Sequence, residues 1–443
     1  MHSCVSNSSR PLRAAVEFLS RRLVSPLHLS SGRIDEVLEA RATVEVDVGG
    51  RVVSGKGAIY LSDLWAWPDP QIEHVEREAR MRDLCMTIAA QLPQACGGEA
   101  AHPTELGLRL HDSITDNKIE TISLNMPRLA RLLCASPFDA AIHDAVGLAL
   151  NRSSLDLYEG AELPSADRAF ASPGAAAAIH RLLDRPSVRA FPATFVIGAH
   201  DELAPLLDEW VDRRRYRRVK LKLNGRDPRV DAIRTIEVVR ELQGRGISSP
   251  WLSVDTNEAS HDAACVLEYL ERLSTDSPPA YAALQYLEQP TSRDIARDAH
   301  DWRRVSRHKP ILLDEGLVSL EDLPEAIRQG WSGLAIKTCK GHSFSLLAAA
   351  WAYERGLLLA LQDLTNPGGA AIHSALLGMR LPTLNGLELN SPQFTPQANE
   401  EWLPRWAPLL APVDGWHRLP DQNPPGLGYN SRSNHTPSLT SFD

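Results

Sequence analysis

Residues 216–225 read YRRVKLKLNG, and residues 219–223 within them, VKLKL, alternate apolar and cationic side chains. A period of two is typical of a β-strand, in which successive side chains point to opposite faces. Lys220 and Lys222 therefore share one face, and the aliphatic side chains share the other. A half-exposed strand at a solvated surface has the same pattern, so the interpretation depends on the segments that follow.

Three later segments each run from an apolar, strand-like stretch into an acid. They are WLSVDTN, LQYLEQP and PILLDEG, and their acids are Asp255, Glu288 and Asp314. A fourth segment, GLAIKTCK, runs into Lys337 and Lys340. Each gap holds a helix-like segment, so the repeating unit is a strand followed by a helix, which is typical of a parallel sheet. Because parallel strands end at the same edge, the acids and lysines are predicted to meet at one mouth.

The repeat predicts an α/β fold with a (β/α)8-type barrel, in which chemistry is built at the carboxyl ends of the strands. The eight predicted strands are 193–199, 217–223, SVDTN, ALQYLEQP, PILLDEG, GLAIKTC, 357–363 and 385–391.

A smaller α+β domain is predicted before the barrel. From Ala40 the chain is predicted to form two strands that turn at Gly49-Gly50, and residues 70–160 are predicted to be mostly helical. Ser136 and Pro137 are predicted to begin one of these helices.

The composition is that of a large enzyme. The 443 residues are enough for a barrel and a second domain, and 43% of them are hydrophobic. The formal net charge of −9, without a dominant basic stripe, argues against nucleic acid as a partner. No stretch approaches the ~20 apolar residues of a membrane span, and charged residues interrupt the first apolar runs, so we predict neither a membrane partner nor a signal peptide. Six scattered cysteines predict neither a zinc site nor disulfides and favour a cytoplasmic location.

The acids Asp255, Glu288 and Asp314 offer only oxygen ligands, which suit Mg²⁺, with Mn²⁺ as an alternative. Taken singly, each acid could equally cap a strand or form a salt bridge. Three acids at the same end of consecutive strands repel one another strongly unless a cation lies among them. The sequence therefore predicts a metal site.

Lys222 and Lys337 fall on nearly opposite sides of an eight-stranded ring, with a substrate between them. A lysine acts as a base when its pKa lies well below ~10.4, and we expect Lys220, the metal and burial to lower the pKa of Lys222. The two lysines could then remove the proton next to a substrate carboxylate and return it to the other face, while the metal stabilises the enediolate. Alternatively, each lysine is only a charge partner of the acids.

Five motifs, VKLKLNG, VDTN, LEQP, LLDEG and AIKTCKG, resemble in order and placement those of the enolase superfamily, mandelate racemase/muconate lactonizing enzyme family. The chain looks like a divergent member of the muconate-lactonizing subgroup. The resemblance implies that Lys222 and Lys337 are the acid/base pair and that the three acids are the metal ligands. Lys220, the first lysine of the K-x-K pair, is a further candidate catalytic residue. A homo-oligomer that acts on a small carboxylate is also implied.

The resemblance further implies where the domains begin and end. We expect a capping domain over 23–155, a linker over 156–190, the barrel over 191–410, and a C-terminal segment over 411–443 with a partly disordered tail.

Two segments of the capping domain are expected to be mobile loops over the site, at residues 27–35 and about 55–67. The second contains Trp65 and Trp67, which are either buried in the core or form an aromatic wall over a substrate.

The motifs do not specify one substrate. We predict a racemase or epimerase, with a dehydratase or cycloisomerase/lyase acting on an acid sugar or related carboxylate as the alternative. A barrel that binds metal and carboxylate without catalysis is the alternative of another class. Glu388-Leu389-Asn390 replaces the D-x-D of dipeptide epimerases, and the predicted seventh strand ends near Asp363 without a histidine, His373 lying about two helical turns on. The roles of Lys340 and Glu315 are left open.

Overall fold

The structure, a computed structural model, describes residues 8–29, 32–115, 125–170 and 174–430. It comprises an N-terminal α+β unit and a parallel α/β unit, which confirms the predicted fold class.

The N-terminal unit is built on a three-stranded antiparallel sheet in the order β1-β2-β3. Its strands are β1 (Ser9–Leu29), β2 (Gly32–Val48) and β3 (Arg51–Tyr60). The predicted turn at Gly49-Gly50 is present, with φ of 61° and 86°. A two-residue hairpin turn of this kind requires positive φ at both positions, which glycine adopts at little cost.

Four helices complete the N-terminal unit, and they are α1 (Asp63–Ala66), α2 (His74–Ala95), α3 (Pro103–Thr115) and α4 (Arg128–Leu150). The prediction that a helix begins at Ser136 and Pro137 is wrong, because α4 runs straight through both residues. Pro137 has no N–H to donate to the carbonyl of Leu133 four residues earlier. The hydroxyl of Ser136 donates to that oxygen instead, at 2.9 Å.

Two segments expected to be loops are regular structure. Residues 27–35 fall mostly within β1 and β2, and the pairing of Leu27 with Ile34 extends the hairpin to its tip. Residues 55–67 hold the end of β3 and the whole of α1. The sheet also begins at Ser9, upstream of the expected domain start at residue 23. The domain boundaries themselves stay predictions.

The remaining strands build the second unit. They are β4 (Ala190–Pro192), β5 (Thr194–Ile197), β6 (Arg218–Lys222), β7 (Trp251–Asp255), β8 (Leu284–Glu288), β9 (Ile311–Leu313), β10 (Gly333–Lys337), β11 (Leu358–Gln362) and β12 (Trp416–Arg418). Strands β5 to β11 form one parallel sheet in chain order, whereas β4 and β12 pair separately and antiparallel.

Helices fill the connections, as the strand-then-helix repeat predicts. They are α5 (Pro164–Asp167), α6 (Ala175–Leu183), α7 (Leu203–Leu207), α8 (Pro228–Gly244), α9 (Ala263–Asp276), α10 (Pro278–Ala283), α11 (Arg303–Ser306), α12 (Leu323–Gln329), α13 (His342–Glu354), α14 (Gly368–Gly378), α15 (Ser391–Phe394) and α16 (Ala407–Leu410). Short stretches of 3₁₀ or π helix occur at Ser154–Asp156, Asp208–Arg213, Leu320–Asp322, Thr338–Lys340 and Pro396–Trp402.

The eighth predicted strand, residues 385–391, is not a regular strand in the described chain. Only a bridge between Glu388 and Gln362 joins this stretch to β11. The side-chain amide of Asn385 bonds the N–H and C=O of Leu361, at 3.0 and 2.8 Å, and that C=O also accepts the backbone N–H of Glu388 at 3.0 Å. The ring closes through the side chain of Gln393, which bonds the N–H and C=O of Val196 in β5 at 2.8 and 2.9 Å.

Two large apolar clusters fill the molecule, one inside the N-terminal unit and one between the parallel sheet and its helices. No helix in the described ranges is long and apolar enough to cross a membrane. A cytoplasmic location and a homo-oligomer stay predictions. Within the predicted C-terminal tail, Tyr429 is buried against the molecule, and residues 431–443 lie outside the described residues.

Candidate active site

The six predicted site residues lie together at the carboxyl ends of β6 to β10. In the register of the sheet, Lys222 stands beside Asp255, and Asp255 stands beside Glu288. Neighbours in register on parallel strands point to the same side of the sheet. The alternation of VKLKL thus directs both lysines toward the acids of the next two strands.

Ammonium groups bridge the acids in pairs. Nζ of Lys220 lies 2.8 Å from Oε1 of Glu288 and 3.2 Å from Oδ2 of Asp255. On the far side, Nζ of Lys337 lies 2.6 Å from Oδ2 of Asp314 and 3.8 Å from Oε1 of Glu288. Glu288 is therefore the middle acid of the three.

Lys222 lies at the edge of this cluster. Its Nζ lies 2.6 Å from Oδ2 of Asp255 and 2.9 Å from Oδ1 of Asn257. Asn257 has a positive φ of 43°, and its own N–H donates to Asp255 at 2.8 Å. It therefore both makes the turn after β7 and holds the acid, the two roles that the sequence could not separate.

Pairing sets the protonation of these buried groups. Burial alone would raise the pKa of Asp255, but Lys222 and Lys220 outweigh it and hold the pKa well below its usual range. The same balance holds for Asp314, where Lys337 and Lys340 lower the pKa. For the middle acid, Glu288, burial and the neighbouring carboxylates raise the pKa despite Lys220.

The nearest charges raise the pKa of two lysines of the cluster, Lys337 and Lys220. Burial favours the neutral form of Lys337, but Asp314 and Glu288 outweigh it and raise the pKa above its ordinary value. Three carboxylates raise the pKa of Lys220 in the same way. The physical reason is that acids, rather than other cations, are the nearest charges to each ammonium.

Asp314 and Glu315, which are adjacent in the chain, have different surroundings. Asp314 faces the lysines, and Lys340 donates both to its backbone oxygen, at 2.5 Å, and to Oδ1, at 3.1 Å. Glu315 faces the N-terminal unit and accepts from Trp65 and Asn257 at 2.9 and 3.0 Å. Burial, followed by the charge of Asp314, raises the pKa of Glu315 to about 7.

Trp65 brings the N-terminal unit into the site. Its ring centroid lies 4.6 Å from Nζ of Lys337, within the range of a cation–π contact. Trp67, by contrast, is buried in the core of the N-terminal unit. Of the two tryptophans, only Trp65 lines the site.

A cavity opens above the lysines between the two units. The β1–β2 hairpin provides an aliphatic wall, and the ends of the barrel strands provide a polar wall. The aliphatic residues are Leu23, Leu27, Ile34 and Val37, and the polar residues are Lys220, Lys222, Asn257, Lys337, Gln362, Thr365, Glu388 and Asn390.

Gln362, at the end of β11, is a site residue that the sequence did not reveal. Its Nε2 donates to Oε2 of Glu288 across the mouth of the barrel. Glu388 lies 3.5 Å from Nζ of Lys220 and accepts from Asn390 at 2.9 Å. The signal in the sequence was that the predicted seventh strand ends near Asp363 without a histidine, which points to the place but not to the contact.

Asp363 and His373 lie outside the lysine cluster. Asp363 accepts the backbone N–H groups of Thr365 and Asn390, and burial raises its pKa to about 8. His373 lies in α14, where Nε2 is 2.8 Å from Nδ1 of His342. Neither residue is placed as a base over the cavity.

The donor set fits a hard divalent cation. Asp255, Glu288 and Asp314 end adjacent strands and offer only carboxylate oxygens, which Mg²⁺ prefers. Each neighbouring pair of acids is already bridged by one ammonium nitrogen, so a cation fits between them. As they stand, no three acids, histidines or cysteines in the described ranges converge on one metal position. Metal binding therefore requires the ammonium groups of Lys220 and Lys337 to move away from these carboxylates.

Comparison with known proteins identifies the superfamily of the chain. The sequence profile described as "Enolase C-terminal domain-like" matches residues 202–434, more than half of the chain. The chain belongs to the enolase superfamily. Within it, the match places the chain in the mandelate racemase/muconate lactonizing enzyme family, as its motifs predict.

Among curated relatives of this superfamily member, muconate cycloisomerase 1 from Rhodococcus opacus is 27% identical over 261 residues. The match covers 56% of this chain and 63% of that protein, so it spans less than two thirds of the relative.

Solved structures share the fold across nearly the whole chain. A muconate lactonizing enzyme from Pseudomonas fluorescens, complexed with muconolactone, has a TM-score of 0.63 at 18% identity and is matched over 95% of this chain and 96% of its own. An enolase from Bradyrhizobium, complexed with magnesium and mandelic acid, has a TM-score of 0.62 at 18% identity over 97% and 96%. At these identities the likeness shows the fold alone.

Proposed function

We propose that this enolase-superfamily protein is a Mg²⁺-dependent racemase or epimerase that removes the proton next to a substrate carboxylate and returns a proton to the opposite face. The observation that carries the proposal is the placement of Lys222 and Lys337. They end β6 and β10, on opposite sides of the three acids, and both line the same cavity. A purely structural charge cluster has no need of two lysines that face one cavity from opposite sides.

Asp255, Glu288 and Asp314 would hold the metal. The chemistry that Mg²⁺ supplies when bound is polarisation of the substrate carboxylate, which makes the neighbouring carbon acid more acidic. The magnesium in the Bradyrhizobium structure supports this choice of ion.

The two lysines divide the proton transfer. The lysine that has lost its proton takes the proton from the substrate carbon, and the opposite ammonium delivers one to the other face. Lys222 lies 2.6 Å from Asp255 and Lys337 lies 2.6 Å from Asp314, so metal binding to these acids would free both nitrogens to face the substrate. Trp65 and the β1–β2 hairpin cover the cavity and limit the entry of water.

The second candidate is a cycloisomerase or lyase, including a dehydratase, that starts from the same proton chemistry. The similarity to muconate cycloisomerase 1 favours it. The two candidates differ in product: a racemase returns an isomer of equal mass and connectivity, whereas a dehydratase releases water and leaves a keto product.

A non-catalytic barrel that binds metal and carboxylate is the alternative of another class. It predicts binding of Mg²⁺ and of carboxylates without exchange of the α-proton. The same measurement therefore separates it from both enzymes.

The test is exchange of the α-proton in deuterated water with Mg²⁺, across pools of acid sugars, N-acyl amino acids and dipeptides. We expect deuterium in a recovered substrate with the natural chain, and loss of the interconversion of the two isomers in Lys222→Ala and in Lys337→Ala. Lys309→Ala, which removes a lysine that lies over Tyr281 and outside the cavity, is the matched control and should keep full exchange.

Circular dichroism and Mg²⁺ calorimetry on each variant check that the fold and the metal site survive. Interconversion of the isomers that continues in both site variants would overturn the two-lysine assignment. Metal binding by the natural chain without exchange in any pool would favour the non-catalytic barrel.

A further inference from the structure

Two side-chain amides form one wall of the cavity and have the same arrangement. Gln362 and Asn390 are 2% and 5% exposed, and both line the cavity. Each donates its N–H group to a glutamate, Gln362 to Glu288 and Asn390 to Glu388. A backbone bridge between Gln362 and Glu388 ties the two halves of this wall together.

Lys220 fixes the orientation of both amides. Its ammonium donates to Glu288 at 2.8 Å and forms an ion pair with Glu388 at 3.5 Å, so both glutamates face its positive charge. A carboxylate in that role accepts hydrogen bonds, so the amide nitrogen must face it and the amide oxygen must face elsewhere. Rotating either amide by half a turn would set oxygen against oxygen.

The amide oxygens are left without partners. Oε1 of Gln362 and Oδ1 of Asn390 are buried, and neither has a hydrogen-bond partner among the residues that the structure describes. A buried acceptor without a partner is costly, and native proteins keep few of them. Two such acceptors in the wall of one cavity indicate that something else supplies the donors.

We infer that the substrate carries a hydrogen-bond donor, a hydroxyl or an N–H group, which binds to Gln362 Oε1 and Asn390 Oδ1. The inference rests on the proposed function and narrows its substrate class to hydroxy- or amino-substituted carboxylates. An ionised hydrocarbon diacid such as muconate has only acceptors, and its second carboxylate would meet the oxygens of this wall. The site therefore selects against the substrate type of the relatives that it resembles.

The test uses matched ligands that differ in one donor. Calorimetry on the Mg²⁺-loaded protein compares mandelate with 2-methoxy-2-phenylacetate, and N-acetylalanine with N-acetyl-N-methylalanine; cis,cis-muconate is titrated alongside. In each pair the second member keeps the carboxylate and loses the donor. We expect the donor-bearing member of at least one pair to bind about tenfold more tightly, the ratio for one buried hydrogen bond.

Variants assign that preference to the two amides. Asn390→Leu and Gln362→Met keep the side-chain size and remove the acceptor, so the preference should fall to about threefold or less. Ile34→Val, on the aliphatic wall of the same cavity, should change both affinities alike and leave their ratio intact.

Three results would overturn the inference: equal binding within both pairs, muconate as the tightest ligand, or no binding of any donor-bearing ligand at millimolar concentration. A preference that persists in both amide variants would remove these residues as its source. Failure of this test leaves α-proton exchange untouched. If the natural chain shows the donor preference but no α-proton exchange, the catalytic proposal alone is overturned.

Discussion

At the scale of single residues, Trp65 makes two contacts that no other residue of the N-terminal unit is shown to make with the site. Its ring lies over Lys337, and its indole N–H donates to Glu315. A cation–π contact of this kind is worth about 0.5–2 kcal/mol. Trp65→Leu, which removes both contacts, should lower the rate of α-proton exchange about tenfold. Trp65→Phe, which keeps a ring, should cost about threefold.

The control is Trp67→Phe. Trp67 lies two residues after Trp65, is buried in the core of the N-terminal unit and does not line the cavity. The exchange rate of this variant, measured on protein of verified fold, should match the natural chain. Equal rates for Trp65→Leu and Trp65→Phe would mean that the hydrogen bond to Glu315, rather than the ring, is what matters.

Contacts between site residues could be predicted from the sequence where the order and periodicity of the strands determine them. Lys222 and Asp255 end neighbouring strands, so their meeting follows from period and register. Gln362 could not be found that way, because its partner Glu288 lies three strands away and the contact depends on side-chain length across the barrel mouth. The raised pKa of Lys220 and that of Lys337 could not be read from the sequence either, because they depend on which charged group lies nearest to each ammonium.

At the scale of elements, the β1–β2 hairpin places an aliphatic wall over the cavity. Leu23 lines the cavity, whereas Val24, the next residue along β1, is 50% exposed. Neighbours in a strand point to opposite faces, which makes a matched pair of substitutions. Leu23→Ser should raise KM several-fold with little change in kcat, because the wall binds ground and transition states alike.

Val24→Ser should leave both constants unchanged, as measured by steady-state kinetics on the substrate found in the exchange screen. If both substitutions raise KM equally, the effect comes from weakening the hairpin as a whole. If neither does, the wall does not touch the substrate.

Strand β3 approaches α4 so closely that side chains do not fit between them. A Cβ at Gly57 would overlap the carbonyl oxygen of Pro137, and one at Gly55 would overlap that of Ala141. Both collisions are with backbone, which cannot rotate away. Gly57→Ala should therefore lower the free energy of unfolding by about 3 kcal/mol.

Gly244→Ala is the control, because a Cβ there meets nothing within 4 Å at the end of α8. Helix propensity predicts that it is neutral or stabilises by up to about 1 kcal/mol. Urea unfolding of the three proteins measures both effects. A Gly57→Ala variant as stable as the natural chain would show that β3 and α4 can move apart at little cost.

Helices and strands were predicted correctly where the sequence has one clear periodicity. They were predicted wrongly where side chains form hydrogen bonds with the backbone of the element. Seven of the eight predicted barrel strands are regular, with the alternating or continuous apolar patterns that predict them. The eighth is irregular, with one backbone bridge to β11 and, beside it, side-chain hydrogen bonds from Asn385. The helix start at Pro137 fails because Ser136 supplies the missing donor. Both cases involve simple hydrogen bonds between a side chain and the backbone, but the partner in each is visible only in three dimensions.

At the scale of the whole molecule, the C-terminal segment ties the N-terminal unit to the parallel sheet. Asp144 of α4 accepts the backbone N–H of Leu427, at 2.8 Å, and that of Lys56 in β3, at 3.0 Å. One buried carboxylate thus joins three parts of the chain. The sequence shows Asp144 only as a polar residue in an apolar helix and gives no hint of these partners.

Burial raises the pKa of Asp144 to about 7, against 3.8 in its ordinary state, even though the N–H groups of Leu427 and Lys56 oppose the rise. Between about pH 4 and pH 7 the unfolded chain therefore releases this proton while the folded chain keeps it. The free energy of unfolding must fall as pH rises through that window, by at most about 4 kcal/mol from this group. Above pH 7 both states are ionised, and this contribution becomes constant.

Asp144→Asn abolishes that dependence, because an amide does not titrate. The variant should be the less stable protein at pH 5, where Asn cannot accept both N–H groups as the carboxyl oxygens do, and the difference should shrink or reverse by pH 8. Urea unfolding at four pH values measures it, with the exposed Asp112→Asn expected to follow the natural chain throughout. The contrary result is a difference in free energy of unfolding between Asp144→Asn and the natural chain that stays constant from pH 5 to pH 8. That result would mean that Asp144 has the same pKa in the folded and the unfolded chain. Burial at this junction would then not disfavour the carboxylate.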